Sequence, residues 1–162
     1  MVWNDRKIRE WGENGGVNPF NTENVNPASL DLTLGKTYRK PINNEWSDKI
    51  SIPENGVFMN RGDFILCYSA EFVRIPNNAA SCLFLKSTPG RTGLNHSHSG
   101  WGDPGFEGQW TFELSSLWPG KIILLQGQRI IQMVISDMCE KPENTYKKTG
   151  RYYGQKGPTI QR

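Results

Sequence analysis

Leu30, Leu32 and Leu34 alternate with Ser29, Asp31 and Thr33, the period-two pattern of a strand with one buried and one open face. Further apolar runs at Phe64–Tyr68, Phe72–Ile75, Ser81–Leu85, Trp110–Leu114, Lys121–Leu125 and Ile130–Ile135 have strand length. Turn-forming residues separate them, at Asn60–Asp63, Pro76–Asn78, Pro119-Gly120 and Gln126-Gly127. One segment has helical spacing: Ile8 and Trp11 share a face, Asn4 or Asp5 can cap it, and Gly12, Gly15 and Gly16 end it. Many short strands with Gly and Pro turns predict an all-β sandwich or barrel behind a short N-terminal helix. With no internal repeat and no linker, residues 1–162 read as a single domain.

Composition narrows this picture in three places. Hydrophobic residues make up 36% and aromatics 11%, enough to fold rather than stay disordered. The net charge of +3 is too small for a polybasic binder, so no nucleic-acid partner is expected. The charge is uneven, however: residues 141–162 carry six basic side chains and one acid, while the first 140 residues are slightly acidic. By composition that stretch is a flexible cationic tail whose partner is an anion. No apolar run approaches the ~20 residues that span a bilayer, and Met1–Asp5 lacks the apolar core of a signal peptide. A cytoplasmic protein without a membrane partner is expected. Three separated cysteines argue against a disulfide framework, and their settings suggest that Cys82 and Cys139 are buried thiols.

Candidate chemistry concentrates between Lys86 and Gly108, a polar, glycine-rich stretch holding two cations, several hydroxyls and both histidines. Small residues allow close backbone approach, and Lys, Arg and hydroxyls suit a phosphate; the same composition also fits an ordinary surface loop. In Trp110–Leu114, residues 110, 112 and 114 share one face and place Glu113 on the other beside Thr111. If that face meets water, Glu113 is a surface carboxylate. If it lines a pocket, Glu113 is a partly desolvated acid able to shuttle protons. His96 and His98 lie at i, i+2, and Asp103 is the nearest third ligand for a metal; plain polar loop residues account for them as well. The His/Cys-x-Glu and Pro-Cys-x-x-Cys boxes of the zinc-dependent deaminases are absent.

Four ordered motifs together resemble the dCTP deaminase branch of the dUTPase-like superfamily, across nearly the whole chain. Asn4-Asp-Arg-Lys-Ile8 is similar to its Ser-Asp-x-x-Ile opening, and Asn26–Gly35 to its Gln-Pro-Ala-Ser-x-Asp-Leu-x-Leu-Gly strand. Gly100–Gly108 with Thr111–Leu114 resembles Gly-x-Ile-Asp-Pro-Gly-Phe-x-Gly followed by Thr-Leu-Glu-Leu. Tyr152–Thr159 is similar to Tyr-x-Gly-Gln-x-Gly-Pro-Thr near the family's C-terminus.

The resemblance implies a distorted jelly-roll β-barrel of the dUTPase-like type, assembled as a homotrimer with active sites between subunits. It implies a deoxyribonucleoside triphosphate carrying Mg²⁺ on its phosphates, and no zinc or other metal held by the protein. By motif position Glu113 is the catalytic general acid/base, with Ser87 toward phosphate or the catalytic network and Arg91 placing water and base edge. Asp103 falls in the motif that contacts the deoxyribose. Lys86, Thr88, His98, Ser99 and Gln132 join the expected substrate-binding set, and Tyr146, Arg151 and Gln155 are expected to close over the triphosphate from a flexible 141–162 tail.

The implied reaction is dCTP + H₂O to dUTP + NH₃. The alternatives are a dUTP diphosphatase or a bifunctional deaminase giving dUMP, and, behind these, an enzyme for a modified cytosine nucleotide or a non-catalytic nucleotide sensor. Departures gather in the loops: Lys86 for an arginine, Thr88-Pro89 for Ser-Leu, His98-Ser99 for Thr-Ala, and Gly102 for a bulky Ile. The histidines and the side chain lost at Gly102 are expected to reshape the base pocket.

Overall fold

The computed structural model describes residues 1–97 and 99–161. Helix α1 (Asp5–Trp11) begins where the Asn4 side chain accepts from the Lys7 amide, and an Asp5–Arg9 ion pair of 2.8 Å braces its first turn. Ile8 is buried and Trp11 meets Trp3 edge-on at 5.7 Å, so one face packs on the core. Gly15 then takes a φ of 85° and turns the chain out of the helix.

Short strands β1 (Val17–Asn18) and β2 (Val25–Asn26) precede β3 (Ser29–Thr33). Next come β4 (Thr37–Tyr38), the hairpin of β5 (Pro41–Ile42) and β6 (Glu45–Trp46), β7 (Ile50–Ser51) and β8 (Val57–Met59). The hairpin turns on Asn43 and Asn44, both at positive φ, the conformation that asparagine tolerates in tight hairpins. The long strands are β9 (Phe64–Arg74), β10 (Ala79–Leu85), β13 (Glu107–Ser116) and β15 (Arg129–Asp137). Between them lie α2 (Ser87–Arg91), β11 (Leu94–His96), β12 (Trp101–Gly102) and β14 (Ile122–Leu124), and α3 (Tyr146–Thr149) follows in the tail.

These strands form a four-stranded sheet ordered β1-β9-β13-β11 and a five-stranded sheet ordered β12-β10-β15-β3-β2, both antiparallel throughout. Their inner faces share one core, in which Leu30, Leu32, Phe112, Leu114, Ile131 and Met133 are sealed from solvent. The molecule is all-β apart from short helices, a distorted jelly roll as expected.

Three details depart from the sequence pattern. The expected strands at 64–68 and 72–75 are one continuous strand, β9. Its register with β13 is interrupted, so that Ser69, Ala70 and Glu71 stand opposite Trp110 alone. Second, Asp31 does not face water: it is 1% exposed, held by Lys86 Nζ at 2.5 Å and by the Asn26 amide at 3.0 Å. The alternation of β3 is thus buried on both sides, because a cation and an amide cover its polar face. Third, the buried thiol is Cys67, on the inner side of β9. Cys82 is half-buried and Cys139, beyond the end of β15, is exposed, which corrects the expectation for both.

Glu71 ties the two sheets together. Its carboxyl, 5% exposed, accepts from the Thr33 amide at 2.9 Å and from Thr33 Oγ1 at 2.6 Å. Burial pushes its proton affinity up, and the Thr33 bonds only partly offset this. The folded chain therefore keeps this proton to a higher pH than the unfolded chain. Glu71 favours the fold fully below the ordinary carboxylate value of 4.5, and that contribution fades as pH rises through the raised folded value. Glu71→Gln keeps the shape and does not titrate. Its stability relative to wild type, followed by urea unfolding, should climb as pH increases from 4.5 toward neutrality and then level off. A difference independent of pH would refute the assignment.

Candidate active site

A cleft of about 570 Å³ opens where β13, the 99–103 loop and the C-terminal tail meet. The alternation of β13 sets its floor. Trp110, Phe112 and Leu114 enter the core, so Thr111 and Glu113 face the cleft. Of the two readings open for Glu113, the structure selects the pocket. The strand is fixed at this point by the Ser97 amide on the Glu113 carbonyl (2.9 Å) and by the β11 pair His96–Leu114.

One wall comes from a tight turn. In Asp103-Pro-Gly-Phe106 the Phe106 amide bonds to the Asp103 carbonyl at 3.1 Å, with Pro104 second and Gly105, at φ 81°, third. That is the residue order a type II turn requires. The turn brings Asp103 to the cleft, where it accepts from Trp101 Nε1 at 3.0 Å. It also lays Phe106 on Trp110 with centroids 4.2 Å apart, and Tyr146 packs on Phe106 at 5.5 Å. The opposite wall is Trp46, delivered by the β5–β6 hairpin, against Phe64 at 5.8 Å. A cleft with this much ring surface and a few polar groups suits a planar base and sugar.

The tail lies along β13. Tyr146 N bonds to the Pro104 carbonyl, Gly154 N to Glu107, and Gln109 N to Gln155. The side chains of Gln109 and Thr111 then accept from the amides of Gly157 (2.8 Å) and Thr159 (3.2 Å). Gly108 permits this approach, since a Cβ there would lie 3.2 Å from Gln155. A basic composition thus hides a segment whose backbone groups are matched to β13.

Among the sequence-chosen residues, the cleft gathers Glu113, Ser99, Asp103, Tyr146, Arg151 and Gln155. Lys86, Ser87, Thr88, Arg91 and Gln132 do not line it within one protomer. Ser87, Thr88 and Arg91 are exposed on α2, Lys86 is engaged by Asp31, and Gln132 lies half-buried on β15 opposite Asp31 and Phe84. His98 lies outside the described residues.

The residues not anticipated are largely aromatic: Trp46, Phe64, Trp101, Phe106, Trp110 and Tyr152. The Asp-Pro-Gly-Phe turn signalled Phe106, whereas nothing near Trp46 pointed to a site.

At Gly102, where the lost side chain is expected to reshape the base pocket, the structure leaves no room for a side chain. A Cβ at Gly102 would fall 2.1 Å from Ser81 Oγ and 2.8 Å from the Trp110 ring. Ser81 Oγ, with the indole of Trp110 behind it, fills the space that a side chain at 102 would occupy.

The chain matches the family described as dCTP deaminase-like over residues 2–138. It is 32% identical over 176 residues to the "dCTP deaminase, dUMP-forming" of Persephonella marina, covering 100% of this chain and 97% of that one. With the protein of the same description from Thermobifida fusca it shares 35% identity over 181 residues, covering 100% and 92%. Among solved structures, a 2'-deoxycytidine 5'-triphosphate deaminase from Agrobacterium tumefaciens superposes with a TM-score of 0.72 at 19% identity, over 83% of this chain and 47% of that one. A point mutant of the dUTPase of Staphylococcus bacteriophage 80alpha, with dUpNHpp, superposes at 0.54 with 14% identity, over 79% and 92%. The fold is therefore of the dUTPase-like kind. The chain belongs to the dCTP deaminase-like family of enzymes.

The close packing at Gly102 is testable by unfolding. Gly102→Ala should cost about 1–3 kcal/mol by overpacking against Ser81 Oγ and the indole. Adding Ser81→Ala should recover part of that loss, a non-additivity expected of residues in contact.

Proposed function

We propose that this protein hydrolytically deaminates dCTP. The observation that carries the reading is Glu113, an acid on the floor of an aromatic cleft whose rim brings Asp103, Arg151 and Gln155 from the loop and tail. Glu113 takes a proton from a water that attacks C4 of the cytosine, and returns it to the exocyclic nitrogen as ammonia leaves. Asp103, a short acceptor, binds the 3'-hydroxyl of the deoxyribose. Phe106, stacked on Trp110, forms the apolar surface beneath the sugar. Arg151 and the tail bind the triphosphate.

Mg²⁺ fits this reading as the nucleotide's counter-ion. Among the described residues no group of three or more His, Cys, Asp or Glu gathers to hold a metal. A hard cation of this kind takes phosphate oxygens and water instead. When bound it neutralises phosphate charge, leaving the base chemistry to Glu113.

A second step is favoured by the relatives. Both curated proteins compared above are described as dUMP-forming, which supports the further hydrolysis of dUTP to dUMP and pyrophosphate. The balance is then dCTP + 2 H₂O to dUMP + NH₃ + pyrophosphate. A substrate of this kind supports the cytoplasm as the site of action; no helix among the described residues is long and apolar enough to cross a membrane.

The placement of α2 supports a homotrimer. Ser87, Thr88 and Arg91 are exposed and outside their own cleft, where a neighbouring protomer would receive them. Lys86 and Gln132 lie on the same side of the subunit, around Asp31.

Ammonia and pyrophosphate should both appear from dCTP with Mg²⁺, and Glu113→Gln should abolish the ammonia. Pyrophosphate without ammonia would reject deamination, and ammonia without pyrophosphate would reject the second step. Trimers assembled from equal amounts of inactive Glu113→Gln and Arg91→Ala chains should regain about a quarter of wild-type activity, the fraction of interfaces pairing both intact residues. No recovery would mean that each protomer completes its own site. Removing residues 146–162 should raise the KM for dCTP at least tenfold; an unchanged KM would reject the tail as a closing element.

A further inference from the structure

Ser99 Oγ donates to Glu113 Oε2 at 2.5 Å, the length of a charge-assisted bond between a hydroxyl and a carboxylate. The chain reaches this contact from a backbone held on both sides. Before it, the Ser97 amide bonds to the Glu113 carbonyl at 2.9 Å, fastening the loop to the four-stranded sheet. After it, the Gly100 carbonyl accepts from the Leu83 amide at 2.8 Å, fastening the loop to the five-stranded sheet. Gly100 is needed for this approach, since a Cβ would stand 2.8 Å from the Leu83 carbonyl oxygen. Ser99 is thus held between the two sheets over a carboxylate that its own strand leaves half-exposed.

We propose that Ser99 is a positioning residue for Glu113. Its hydroxyl occupies Oε2 and holds the carboxyl in one rotamer, which leaves Oε1 as the oxygen that takes the proton from water. A half-exposed glutamate otherwise samples several rotamers, only some of which present an oxygen to the reacting centre. The role belongs to this chain's own side chain, because the alanine expected here from the family resemblance has no hydroxyl. It rests on the reading of Glu113 as the general base.

Ser99 is exposed, so its variants should fold. Ser99→Ala should lower kcat for ammonia release from dCTP about tenfold or more while KM stays within about twofold, as when an interaction made in the transition state is lost. Ser99→Thr, which keeps a hydroxyl on the same carbon, should recover most of the rate. An unchanged kcat in Ser99→Ala, an effect on KM alone, or no recovery by threonine would overturn the proposal.

Crystal structures of wild type and Ser99→Ala test the same point without activity. The Glu113 carboxyl should hold one position in the first and spread over several in the second; the same single position in both would overturn it. If wild type released no ammonia from dCTP, the reading of Glu113 as base would fail, and the crystallographic comparison would still decide whether Ser99 positions the carboxyl.

Discussion

Where β9 and β13 pair, Ser69, Ala70 and Glu71 stand opposite the single residue Trp110, and most of the molecule depends on how this mismatch is satisfied. The Trp110 amide has lost its ladder partner and is buried, so it must find another acceptor or cost on the order of 1–3 kcal/mol. Ser69 Oγ accepts it at 2.8 Å and donates in turn to the Glu71 carbonyl at 2.7 Å. The same bulge sends the Glu71 carboxyl across to Thr33, and beside it Gly35 N bonds to the Tyr68 carbonyl. One irregularity in one sheet therefore anchors the other. Gly35 has no room for a side chain, since a Cβ would lie 2.4 Å from the Tyr68 ring.

The bulge also fixes what β13 presents. Below it Gln109 meets the tail; above it Thr111 and Glu113 meet the cleft; at it Trp110 turns inward to stack with Phe106 and occupy the space over Gly102. The contacts to the tail, the Phe106–Trp110 stack and the acid therefore come from neighbouring positions of one strand. Alternate residues are about 7 Å apart along a strand, so these groups are spread along the cleft. The tail lies over the cleft, while α2 stands outside it.

Much of this was legible. The strand pattern, the N-terminal helix and the facing of Glu113 away from Trp110, Phe112 and Leu114 follow from periodicity, because apolar burial drives the placement of each side chain independently. The Asp103-Pro-Gly-Phe106 turn is also local, since proline and glycine fix its dihedrals. The fate of Asp31 was not legible. Alternation puts it on the polar face, and only the arrival of Lys86 from a distant strand end covers it. The tail was misleading for a related reason: its contacts are backbone hydrogen bonds to β13, and backbone groups leave no mark on composition.

The sequence by itself determined an all-β chain, the family to which its motifs belong, and the acid on the strand that forms the cleft floor. Tertiary structure alone decided the strand mismatch at Trp110, the aromatic walls supplied by Trp46 and Trp101, the filling of the space at Gly102, and the hold of Ser99 on Glu113. The division has one physical cause. Periodicity and turn chemistry act between near neighbours, and a single chain displays them. A contact such as Ser99–Glu113 depends on two sheets approaching at one distance and angle, which only the packed core sets.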